Sequence, residues 1–176
     1  MKRWQVVMVI TLAIGLVSRG VATPDAALRA NAPAALSADA VGEIVASANP
    51  NLSQPERHRI GRAILRSSAD YELDPQLVTA IILVESGARP WALSSKGAVG
   101  LMQVMPHMTE ARLVAGNLAT IESNVAAGCS ILADNIRRLG EDDGISAYFW
   151  GSDIRGAAYL DRVRAARATI RRLAES

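Results

Sequence analysis

Aromatic residues are scarce in this chain: three Trp, three Tyr and one Phe in 176 residues. Long Ala-, Leu-, Arg- and Ile-rich stretches take their place, and these favour helix. No convincing β-hairpin and no internal repeat is present, so an all-β domain and a repeat array are set aside. The single cysteine, Cys129, rules out an intramolecular disulfide. Its flanks, Ala126-Ala127-Gly128 and Ile131-Leu132, read as a buried helix face and not as a reactive thiol. The two histidines, His58 and His107, have no partner at metal-ligand spacing, and neither a metal nor another cofactor is expected. No apolar run is long enough for a confident membrane span. What is left is a helical chain of a length that suits one domain with a real core.

The first residues read as a targeting segment. Lys2 and Arg3 form a positive start, residues 6–17 are apolar and uncharged, and Gly20-Val21-Ala22 offers small side chains at the expected cleavage position. Residues 1–22 are therefore expected to be a signal peptide, with an uncleaved anchor as the alternative. Cleavage after Ala22 removes Lys2, Arg3 and Arg19 and no acid, which takes the formal charge from +2 to −1. The basic pI thus says little about partners. The Arg-rich C-terminal segment, with Arg155, Arg162, Arg164, Arg167, Arg171 and Arg172, reads first as a solvated helix face. Nucleic acid is not an expected partner: no motif supports it and export conflicts with it.

Residues 23–53 are rich in Ala, Ser, Asn and Pro and read as a linker with at most one short helix, around 39–48. Residues 54–176 are expected to form the domain. Ser53-Gln54-Pro55-Glu56 looks like a capping box with Pro in the first turn, opening a helix to about residue 69. Asp74-Pro75 is a second strong start, an Asp N-cap with Pro at the first helical position. Residues 89–97 should be irregular. Further helices are expected over 108–115, 124–139 and 153–174, with a polar break at 140–144 and a short helix or turn over 145–150.

The second of these helices carries the most informative residue. Glu85 ends the apolar run Leu77-Val78-Thr79-Ala80-Ile81-Ile82-Leu83-Val84. In the last turn of a helix, burial and the negative end of the dipole both disfavour a charged carboxylate. Both raise its pKa, which suits a general acid for sugar chemistry. An isolated Glu in this place could equally point into water.

The residues downstream change that balance. Glu85-Ser86, Pro90, Ala92, Ser94, then Gly97-Ala98-Val99-Gly100-Leu101-Met102-Gln103 and Met105-Pro106 resemble the signature of the soluble lytic transglycosylase (SLT) domain. Asn124, Gly128 and Leu132 match its Asn-x-x-x-Gly-x-x-x-Leu helix. Ala147-Tyr148-Phe149-Trp150-Gly151 is similar to its Ala-Tyr-Asn-x-Gly, and Tyr159 and Val163 resemble its closing Tyr…Val. Three ordered blocks over roughly residues 60–173 are a specific signal. The resemblance implies a mainly α, lysozyme-like single domain that acts on peptidoglycan glycan strands in the periplasm or cell envelope, as a monomer.

It also implies a mechanism. Most glycosidases use two carboxylates, but the resembled family works with one Glu. Glu85 would protonate the bond between N-acetylmuramic acid and N-acetylglucosamine, then as a base activate the sugar's own 6-hydroxyl, giving a 1,6-anhydro end. Ser94 and Gln103 would contact N-acetyl groups or the surroundings of the acid, Met105 would pack on the sugar, and Tyr148 would border the cleft. A turn role for Ser94 and plain core roles for Met105 and Tyr148 stand beside these. Ser86 could cap the helix end, and Trp91 and Trp150 could stack on sugars or be buried. Glu110, Glu122, Asp134, Asp142 and Asp143 are candidates for a second acid, none with a distinguishing context. A hydrolytic muramidase similar to goose-type lysozymes is the nearest alternative, and a peptidoglycan-binding protein with impaired turnover is another, suggested by Phe149 in the family's Asn position. A secretion, pilus or conjugation apparatus is a conceivable partner.

Overall fold

Short polar residues set the starts of the long helices. In the computed structural model, which describes residues 36–110 and 117–175, Ser37 accepts from the Ala40 N–H at 3.1 Å and opens α1 (Ala38–Ala48). The Glu56 carboxylate accepts from the Ser53 N–H at 2.8 Å and its hydroxyl at 2.6 Å, opening α2 (Gln54–Asp70). Asp74 accepts from the Gln76 N–H at 2.8 Å and opens α3 (Pro75–Ser86). Each such bond satisfies a donor that the helix leaves unpaired at its first turn. The remaining helices are α4 (Pro106–Glu110), α5 (Ile121–Leu139), α6 (Glu141–Trp150) and α7 (Ala158–Ala174). Among the described residues there is no strand, only isolated bridges between Leu93 and Val99 and between Val99 and Val104. The domain is mainly α, as expected. The expected signal peptide lies outside the described residues.

The core forms around α3, where Leu77, Val78, Thr79, Ala80, Ile81 and Ile82 are all buried. Such a helix is apolar nearly all round, and it packs against α1, α2 and α7. The α5 helix packs on α2 and α6, and α6 on α7. Cys129 is fully buried on α5, and burial pushes its thiol pKa up.

Several elements differ from the sequence expectation. The short helix around 39–48 exists, and it is part of the folded body: Val41 and Val45 are fully buried and Ile44 nearly so. Spacing of i, i+3 and i+4 puts these three on one face. The α5 helix starts three residues before Asn124, because Thr120 accepts from the Ser123 N–H. The expected polar break at 140–144 shrinks to Gly140, and residues 141–144 are the beginning of α6. Glu141, Asp142 and Asp143 occupy its first turn, where acids complement the helix dipole. The last helix starts at Ala158, later than 153. The expected 108–115 helix is seen as Pro106–Glu110, and residues 111–116 are outside the described residues.

One buried side chain holds the loop that leads from α3 to α4. Asn124 Oδ1 accepts from the Met102 N–H at 2.9 Å, and its Nδ2 donates to the carbonyls of Val99 at 2.8 Å and Leu118 at 3.1 Å. Close approach is possible because two glycines leave room. A Cβ on Gly100, whose φ is +78°, would fall 2.3 Å from Asn124 Nδ2. One on Gly128 would fall 2.4 Å from Met102 Sδ. The second sequence block thus serves to seat the first. Asn124→Ala should leave one buried and two part-buried backbone groups without this partner and destabilise the protein by roughly 2–3 kcal/mol. Urea unfolding measures this, and a change within 0.5 kcal/mol, about the scatter of surface substitutions, would deny the clamp its importance.

Candidate active site

The end of α3 turns sharply. Gly87 and Ala88 both adopt left-handed backbone, φ +59° and +58°, and Ser86 fastens the turn. Its hydroxyl donates to the Ile82 carbonyl and accepts from the Arg89 N–H, each at 3.2 Å. Ser86 is a helix-end cap. The turn leaves Glu85, one residue earlier, half-buried at the rim of a cleft of about 640 Å³.

Glu85 Oε1 accepts a hydrogen bond from the Tyr159 hydroxyl at 2.6 Å. Burial raises the Glu85 pKa above the ordinary carboxylate value. The Tyr159 bond and the nearby Arg162 charge pull the other way without cancelling it. Burial and the Glu85 charge in turn raise the pKa of Tyr159 and of Tyr148, so both phenols are neutral donors at ordinary pH. Tyr148 spends its proton on the Met102 carbonyl at 2.9 Å.

The structure brings all five sequence-predicted residues together: Glu85, Ser94, Gln103, Met105 and Tyr148 line this one cleft. Ser94 also has the turn role. Its Oγ accepts from the Ala98 N–H at 2.9 Å, which leaves its own proton to give. Gln103 sits in left-handed backbone, φ +48°. Its Nε2 donates to the carbonyls of Gly100 at 3.0 Å and Ala92 at 3.3 Å. The amide is thereby held in one plane at the cleft wall. Met105 is half-buried there.

Among the described lining residues Glu85 is the only carboxylate, while Lys96 and Arg155 are the cations. Three of the sequence candidates for a second acid are paired elsewhere. Glu122 is paired with Arg59 at 2.8 and 2.9 Å, which lowers its pKa. Asp134 pairs with Arg138 and Asp142 with Arg164. Asp143 lies with Asp142 in the first turn of α6, and Glu110 ends α4.

Sequence reasoning put Tyr148 at the cleft and offered Trp150 as a stacking or buried residue, but it missed how these rings assemble with Phe149 and Tyr159. Phe149 and Trp150 join Tyr148 in the cleft lining. The Phe149 ring stacks on Tyr159 with centroids 4.8 Å apart and planes 15° apart, and meets Trp150 edge-on at 4.9 Å. Tyr159 touches Glu85 across 74 residues of sequence, a contact that no local pattern announces. Trp91, in contrast, is 61% exposed and lines a separate groove with Arg89, Asn49 and Asn51.

The model for the transglycosylase SLT domain family matches residues 62–160, more than half of the chain. A transglycosylase of Enterobacteria phage PRD1 is 36% identical over 88 residues, 49% of this chain and 33% of that protein. The endo-type membrane-bound lytic murein transglycosylase A of Klebsiella pneumoniae subsp. pneumoniae is 54% identical over 41 residues, 23% of this chain and 20% of that one. The chain therefore spans a third or less of the length of these curated relatives. Among solved structures, an inactive mutant of the lytic transglycosylase Slt from Pseudomonas aeruginosa aligns with a TM-score of 0.47 at 18% identity, over 64% of this chain and 22% of that one.

The electrostatics of Glu85 have a consequence for stability. A carboxyl whose pKa is higher in the folded state costs stability because the unfolded chain ionises first. The cost is absent below the unfolded value, 4.5, and grows as pH rises through the folded value. Glu85→Gln mimics the neutral form. It should raise Tm at pH 7, and the gain should shrink as pH falls toward 4. Thermal melts across this range check the trend. A gain independent of pH would mean that burial of charge is not its source.

Proposed function

The chain belongs to the transglycosylase SLT domain family, and from there we propose that it is a peptidoglycan lytic transglycosylase. It cleaves the β-1,4 bond between N-acetylmuramic acid and N-acetylglucosamine and leaves a 1,6-anhydro end. The observation that carries the reading is the single carboxylate among the described residues of the cleft. Two-carboxylate hydrolysis needs a second acid across the scissile bond to activate water or attack the sugar. No such group faces Glu85 among those residues. The names of the relatives agree with the reading, as does the apolar, half-enclosed setting of the acid.

In this mechanism Glu85, whose neutral form burial favours, gives its proton to the leaving glycosidic oxygen. The muramyl N-acetyl group assists at the anomeric carbon. Glu85, now a carboxylate, takes the proton of the 6-hydroxyl as that oxygen closes on the same carbon. No water is consumed. The intramolecular hydroxyl has the advantage of proximity, since it is already tethered. The Ser94 hydroxyl and the Gln103 amide are available to bind N-acetyl groups, and Met105 supplies an apolar contact to a ring face. Tyr148 borders the acid and is fixed by its bond to Met102. The leader-like features of residues 1–22 support export of the mature enzyme to the cell envelope, where the substrate is.

Glu85→Gln should cut turnover by about 10²–10⁴-fold with the circular dichroism spectrum unchanged. Mass spectrometry of digested peptidoglycan should find muropeptides that end in 1,6-anhydro-N-acetylmuramic acid, one water lighter than hydrolytic products. Dominant reducing ends would replace this reading with a muramidase. N-terminal sequencing of envelope protein should find a start near Thr23, and a full-length cytoplasmic form as the main species would count against export.

A further inference from the structure

Phe149 is an apolar ring left 49% exposed beside a catalytic carboxyl. Its exposed side gains nothing from the hydrophobic effect, and it makes no hydrogen bond. Its ring meets Trp150 edge-on and lies nearly flat on the ring of Tyr159. Tyr159 is itself buried, 2% exposed, and its hydroxyl ends 2.6 Å from Glu85 Oε1. A tyrosine directs its hydroxyl through two torsions, and a flat neighbour against the ring face limits both. The other phenol at the site cannot replace it, because Tyr148 donates to the Met102 carbonyl.

We propose that Phe149 is a positioning residue: by stacking on Tyr159 it holds the Tyr159 hydroxyl on Glu85 and so fixes the orientation of the reacting carboxyl. The small amide of an Asn in this place offers no aromatic ring face, so here a ring-on-ring contact gives a constraint that the Asn side chain does not. The role presupposes Glu85 as the reacting acid, but its physical content is a chain of two contacts, ring on ring and hydroxyl on carboxyl. The charged and titratable groups around Glu85 are Tyr159 and Arg162 on α7, Tyr148 on α6, and Lys96 and Arg155 along the cleft. Arg162 lies over the same Tyr159 ring, 5.7 Å from its centroid. Substitution of neutral Phe149 by another neutral residue leaves all of these in place. A rise in the Glu85 midpoint is then due to the loosened Tyr159 bond, because water let in by a smaller side chain would lower it.

The test is a titration of the Glu85 carboxyl by ¹³C NMR of the full chain labelled at Glu, without substrate, beside steady-state kinetics on peptidoglycan. Phe149→Asn and Phe149→Leu should both raise the Glu85 midpoint, by about half a unit to one unit, because the bond they loosen favours the charged form. Both should lower kcat about tenfold, the worth of one hydrogen bond to a charged group, with KM little changed. Phe149→Tyr keeps the flat face and should preserve both values. In a Tyr159→Phe background, where the hydroxyl is already gone, Phe149→Asn should add nothing to either readout. Equal effects with and without the Tyr159 hydroxyl would overturn the proposal. So would a raised KM at unchanged kcat, the mark of direct sugar contact, or no effect at all. The titration needs no substrate, so a midpoint shift in the Phe149 variants keeps its meaning whichever product the enzyme forms.

Discussion

The hydrogen bond from Tyr159 to Glu85 joins the last turn of α3 to the first turn of α7. Two opposed demands meet there. A helix as apolar as α3 can be buried on nearly every side, but its C-terminal end must emerge, and the residue that emerges is a carboxylate. Burial and the helix dipole push Glu85 toward its neutral form. Tyr159 and Arg162 favour the charged form. A group pulled both ways can pass a proton in both directions, which is what the proposed role of acid and then base requires.

The loop from α3 to α4 has a different problem. It must present Ser94, Gln103 and Met105 to one cleft without a sheet to support it. Its rigidity comes from outside, through Asn124, whose amide spans carbonyls and an N–H of three separate residues. The left-handed backbone at Gln103 is a strained conformation for a side-chain-bearing residue. It persists because the Met102 N–H on one side and the Val99–Val104 bridge on the other leave the chain little choice.

Local chemistry was legible in the sequence, and long-range contact was not. Asp74-Pro75 and the Ser53–Glu56 pair announce helix starts because the partners lie within a turn of each other. Glu85 stands out because charge beside an apolar run is costly wherever it lies. The resemblance named Ser94, Gln103, Met105 and Tyr148, and these share the Glu85 cleft. Tyr159 was legible as a motif residue but not as the partner of Glu85, because contact across two helices leaves no periodicity. The α1 helix was hidden by composition: Ala and Ser around Val41, Ile44 and Val45 look like linker until something packs on them. The acids at 141–143 looked like a break because polarity alone does not distinguish a loop from a helix N-terminus. The few aromatics were counted but could not be placed. Four of them, Tyr148, Phe149, Trp150 and Tyr159, gather at this one site.

The α7 helix is tied to α3 a second time. Arg167 reaches Asp74, the N-cap of α3, and Glu141 at the start of α6. Tyr159 meets the end of α3 and Arg167 its beginning, so the two helices run antiparallel and α3 is pinned at both ends. The pins are about 16 Å apart along α3, at 1.5 Å per residue. Helices that pack through small apolar side chains alone can slip lengthwise at little cost, since one ridge resembles the next. Two polar pins spaced like this remove that freedom: a slide that breaks one breaks the other. The alignment of the Glu85 carboxyl is thus held partly by an ion pair at the opposite end of the central helix, far from the cleft that Glu85 lines.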